Sequence, residues 1–137
     1  MNNISRMGMK RTTMLTIAAA AMIAVQLLDM VAHIAIGQAE MLRIVSNIII
    51  IVTTISLWMD WLANPRMTIV ASLAMYLALN GMFVQTYGLT NPMQGDALRI
   101  ALFVFIGITT VLTVWMFVQI RRYQKKMFNK QMANEEY

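Results

Sequence analysis

The chain is 137 residues long, 59% hydrophobic and only 12% charged, with a formal net charge of +5 and no cysteine. A chain of this size is expected to form one domain, residues 1–137, with no room for a separate soluble catalytic module. Lack of cysteine excludes disulfides and thiolate metal sites, and a single histidine excludes a bis-histidine haem site within one chain. No metal, no cofactor and no nucleic-acid partner are therefore expected. Methionine is abundant at fifteen. Thioethers can bind soft copper, but these residues follow no short repeating motif and suit gap-filling between helices better.

Four apolar segments follow one another, at about 13–36, 42–62, 68–89 and 97–120. A bilayer core about 30 Å thick is crossed by ~20 apolar helical residues, and all four reach that length. The expected fold class is all-α, an integral membrane four-helix bundle with a basic tail at 121–137.

The first segment follows Arg6, Lys10 and Arg11, as a signal sequence would. It is longer than the usual apolar region of about 7–15 residues and contains Asp29, so a retained signal anchor is expected. Gln26, Asp29 and His33 share one helical face. Four residues rise about 6 Å, so Asp29 and His33 can meet across one turn. A carboxylate near mid-membrane costs about 2.5–3.5 kcal/mol on insertion scales. Asp29 therefore calls for a partner, a watery cavity or a proton. Ala18, Ala19, Ala20, Ala21, Ala24, Ala32 and Ala35 surround this face, and small residues admit a close neighbouring helix.

The second segment opens with Arg43, one turn above Asn47. Arg43 is expected to snorkel toward the headgroups. The functional alternative is a cationic rim shared with Arg99. Trp58 and Trp61 close the segment, as interfacial tryptophans do, ahead of the Asn64-Pro65 turn signal. The third segment holds Asn80 and Gln85, and the fourth holds Thr109, Thr110, Thr113 and Trp115. Arg43, Asn47, Asn80 and Gln85 are the candidate polar partners of the Gln26–Asp29–His33 face. In the tail, Arg121, Arg122, Lys125 and Lys126 interleave with Tyr123 and Phe128. That pattern suits contact with anionic lipid or with a partner.

Leu42-Arg43-Ile44 with Thr53-Thr54 is matched by Leu98-Arg99-Ile100 with Thr109-Thr110 at the same spacing. The match admits a tandem duplication of a two-helix hairpin, and chance recurrence in apolar sequence accounts for it equally well. Aligned by length, Leu79, Met82 and Thr86 fall opposite Gln26, Asp29 and His33. Any ionisable site would then belong to the first half alone.

Four spans place both termini on one side with Asn64. That side collects Arg6, Lys10, Arg11, Arg66, Arg121, Arg122, Lys125, Lys126 and Lys130, against Arg43 and Arg99 opposite. The positive-inside rule then predicts cytoplasmic termini, with a bacterial cytoplasmic membrane as the expected location. No phosphate loop, metalloprotease motif or nucleophile motif is present, so an enzyme is not expected. The expected function is an accessory or scaffold subunit of a larger membrane assembly, with the bilayer and another membrane protein or a second copy as partners. The alternative is a small proton-coupled transporter acting as a dimer through Asp29 and His33.

Overall fold

The computed structural model describes residues 13–35, 40–87 and 96–135. These form four helices and, among the described residues, no strand: α1 (Thr13–Ala35), α2 (Met41–Trp58), α3 (Pro65–Tyr87) and α4 (Asp96–Glu135). Each is long and apolar enough to cross a membrane, and the chain is an integral membrane four-helix bundle. The Asn91-Pro92 connection, the cations Arg6, Lys10 and Arg11, and the side chain of Arg99 lie outside the described residues.

Short connections set sequential helices antiparallel. α1 packs on α2, α2 on α3, α3 on α4, and α4 returns to α1, which closes a ring. The interior is filled by Leu15, Ala18 and Met22 of α1, Ile50 and Leu57 of α2, Ile69 and Tyr76 of α3, and Met116 and Ile120 of α4. The outer surface is apolar too, with Leu28, Val31, Val52, Val70, Phe103 and Val111 exposed. Apolar surface on both faces is the pattern of a helix that sits in lipid rather than water.

Local chemistry sets the boundaries at the Asn64 end. α2 stops sooner than hydropathy alone suggests, at Trp58 rather than residue 62. Asp60 takes a left-handed conformation with φ 57°. The Asp60 N–H donates to the Leu57 carbonyl at 3.1 Å and the Trp61 N–H to the Ser56 carbonyl at 2.9 Å. These two bonds make a Schellman closure, in which the left-handed position is usually glycine. α3 then restarts at once. The Asn64 side-chain oxygen accepts from the Met67 N–H at 3.4 Å, and Pro65 occupies the first helical position, where its missing N–H is harmless. Trp58 joins this end to α1 by donating from Nε1 to the Thr16 hydroxyl at 3.4 Å. Trp61 is exposed, and Trp115 packs against the core.

α4 differs from the expected span. Its 40 residues measure about 60 Å, since each residue rises 1.5 Å. The apolar part ends at Ile120, yet the helix runs on without a break to Glu135. No glycine or proline occurs in that stretch to stop it. The basic tail is thus a continuation of the fourth span, projecting roughly 22 Å beyond it, and not a separate segment.

Candidate functional site

The antiparallel α1–α2 pair brings the end of α1 against the start of α2. Asp29 and Arg43 face each other there. The Arg43 Nη2 donates to Asp29 Oδ1 at 2.5 Å, and the Asn47 amide donates to Asp29 Oδ2 at 2.7 Å. His33, one turn along α1, sets Nε2 3.4 Å from Asp29 Oδ1. Asp29, Arg43 and Asn47 are each 1% exposed and His33 is 4% exposed. Both carboxylate oxygens are occupied by donors from within the chain.

Glu40 opens α2 with its backbone carbonyl, which accepts from the Arg43 and Ile44 N–H groups at 3.0 Å. Its side chain makes no capping bond. Instead one carboxylate oxygen stands 3.7 Å from His33 Nδ1. The imidazole therefore lies between two carboxylates, one deep and one nearer the helix ends.

A second layer reaches α3 and α4. The Ser46 hydroxyl donates to the Arg43 carbonyl at 2.8 Å. Asn80 donates to Ser46 at 3.1 Å and to the Tyr76 carbonyl at 2.8 Å. The Arg43 guanidinium sits 5.7 Å from the centre of the Phe83 ring, within range of a cation–π attraction. Gln26 donates to the Thr109 hydroxyl at 2.7 Å, tying α1 to α4. Every helix of the ring thus sends a polar side chain into one half of the bundle.

Arg43 departs from the snorkelling expectation and takes the place of a polar partner of Asp29. It does not snorkel outward, because a carboxylate, an asparagine and an aromatic ring lie within reach inside. Pairing there relieves the burial cost of both charges at once. Gln85 is also placed differently: it is exposed and belongs to no cluster. The inward stripe of α3 is Ile69, Ser72, Tyr76, Asn80 and Phe83. Five residues past Asn80 turn the helix by about 140°, which carries Gln85 off the bundle. Compared by burial instead of by length, α1 and α3 align one residue away from the length-based register. Met82 and Thr86 face outward, while Asn80 takes the place matching Gln26 and Phe83 the place matching Asp29.

Arg121, Arg122, Lys125 and Lys126 are exposed on the projecting part of α4, at the opposite end from the Asp29 cluster. Among the described residues no group of three or more histidine, aspartate, glutamate or cysteine side chains is placed to hold a metal ion. Ser46, Tyr76, Phe83 and Thr109 complete the cluster and were not singled out as its members from the sequence. The only available signal was their polarity or aromaticity at span positions level with Asp29.

Chemically the cluster can hold a charge pair and fix helix register. Nothing in it resembles a nucleophile with an adjacent base. No family model, curated protein or solved structure matches the chain.

Proposed function

We propose that this protein is a non-enzymatic accessory or scaffold subunit of a larger membrane assembly. The observation that carries the reading is the saturation of Asp29. A working proton carrier needs a carboxylate that can give up its charge and meet its cargo. Here neutralising Asp29 would strand the buried Arg43 guanidinium, and removing one partner of a buried pair typically costs about 3–5 kcal/mol. The cluster therefore serves as a clamp that fixes α1 against α2 and, through Ser46 and Asn80, against α3. A rigid bundle with an apolar exterior and a projecting basic helix presents fixed surfaces to lipid and to a partner.

The proposed setting is a bacterial cytoplasmic membrane with both termini inside, supported by the nine-to-two distribution of basic residues. Reporter fusions after Asn64 and after Tyr137 should read as internal and a fusion at Asn91 as external. An external C-terminus would refute this orientation.

A second reading, a dimeric proton-coupled transporter, draws support from two contacts of one residue. His33 bridges from Glu40 toward Asp29, and an imidazole can both accept and release a proton. Gentle detergent extraction followed by native mass spectrometry separates the two. A co-purifying larger complex supports the subunit reading. A bare homodimer whose reconstituted vesicles dissipate a pH gradient supports the transporter.

A further inference from the structure

Below the Asp29 cluster, toward the Asn64 end, a partly open pocket of about 20 Å³ lies between the helices, lined by Met22, Ile50, Thr54, Leu57, Ile69 and Met116, with Thr53, Ser72 and Thr113 completing the wall. Such a volume suffices for one water molecule, and a buried water typically makes about three hydrogen bonds. Whether the site is built for one depends on where each hydroxyl proton goes, since a hydroxyl has one proton to donate and lone pairs to accept.

Ser72 donates its proton to the Thr68 carbonyl at 2.7 Å. The 2.7 Å contact between Ser72 and Thr53 must then use the Thr53 proton, which leaves the Thr53 oxygen able only to accept. Thr113 donates its proton to the Thr109 carbonyl at 2.7 Å, and its oxygen too can only accept. Thr54 is 4% exposed, and among the described residues its hydroxyl makes no hydrogen bond. It retains a free donor. Within a mostly apolar wall, Thr53, Thr54 and Thr113 thus offer one donor and two acceptors on two helices, as many partners as a single water takes.

We propose that this cavity is a water-binding site, in which one molecule accepts from Thr54 and donates to Thr53 and Thr113. The water joins α2 to α4, and through the Thr53–Ser72 bond it engages α3. It adds a polar tie between α2 and α4 to the direct Thr53–Ser72 and Trp58–Thr16 bonds of the lower half. It is a structural water and no part of a proton wire. Each run of hydroxyls leaving it ends on a backbone carbonyl, of Thr68 or Thr109, which accepts a proton bond and cannot hand a proton on.

The test uses the full chain in detergent micelles or nanodiscs, with methionine methyl groups labelled for NMR. A water resonance should show cross-relaxation with the methyls of Met22 and Met116, which carry no exchangeable proton. Thr54→Val keeps the shape and removes the only donor. With water bound it should lower Tm by about 3 °C and abolish the cross-relaxation. In a dry cavity the same change removes an unpaired buried hydroxyl and should raise Tm. A rise in Tm, or absence of water contacts to Met22 and Met116 in the unaltered protein, overturns the proposal.

Discussion

The Asp29–Arg43 pair permits a sharp energetic test. Arg43→Met removes the guanidinium and leaves Asp29 buried with only Asn47 and His33 beside it. Asp29→Leu leaves the guanidinium buried over Phe83 without a counter-charge. Each single change should cost about 3–5 kcal/mol, the usual penalty for breaking one side of a buried ion pair. The double variant behaves differently. An apolar pair of similar volume is typically neutral or better than the ion pair it replaces, while Asn47 loses its acceptor at a cost of about 1–3 kcal/mol. The double variant should therefore stay within roughly 2 kcal/mol of the unaltered protein. Summed single losses would be about 6–10 kcal/mol, so the coupling should exceed ~4 kcal/mol, far beyond the ~0.5 kcal/mol within which independent sites add. Unfolding by added SDS, followed by tryptophan fluorescence and circular dichroism, gives the three values. Simple additivity of the two single losses would refute the clamp. Asp29→Asn extends the test. From sequence alone asparagine should be tolerated at a structural position. With Arg43 in contact, it should lose most of what leucine loses, because the amide carries no charge.

Two further outcomes follow from the backbone. Asp60→Val should destabilise the α2–α3 turn by about 1–2 kcal/mol, since a left-handed backbone crowds a β-carbon and most of all a branched one. Asp60→Gly should be tolerated far better, and equal losses for both would mean that the turn is not held in that conformation. The length of α4 can be measured by spin labels on cysteines at Val114 and Met132, both exposed, in a chain with no native cysteine. Eighteen residues of unbroken helix predict a narrow distance distribution near 27 Å, whereas a broad or much shorter distribution would show a bend near Arg121.

The four spans were legible because lipid imposes a length and a polarity on each helix that composition alone reveals. The Asp29–His33 face was legible because spacing within one helix fixes a shared side. Partners on other helices were less so. Arg43 and Asn47 were legible as possible partners of Asp29, but Arg43 also has the sequence signature of an interfacial anchor, and it is the antiparallel docking of α1 on α2 that decides between the two. Asn80 and Gln85 are both polar residues near the end of one apolar span. Their opposite fates depend on how α3 is rotated, which its nearly uniform apolar surface leaves unmarked. The end of α2 was missed because aspartate stands where glycine usually signals such a stop. The extension of α4 could have been read: residues 121–135 contain no breaker and are rich in helix formers, and the loss of hydropathy at Ile120 marks the edge of the lipid, not of the helix.

The Asp29–Arg43 bridge also constrains how the molecule is made. Its two ends are 14 residues apart in sequence, and Asp29 is synthesised first. Were α1 released into lipid alone, its carboxylate would meet hydrocarbon without a counter-ion, at the ~2.5–3.5 kcal/mol that insertion scales assign to a charge at mid-helix. Delaying release until Arg43 has emerged lets the two charges enter together. Biogenesis is thus easier when the insertion machinery handles α1 and α2 as one hairpin, and a mutation at Arg43 can impair membrane entry of a helix that precedes it in the chain.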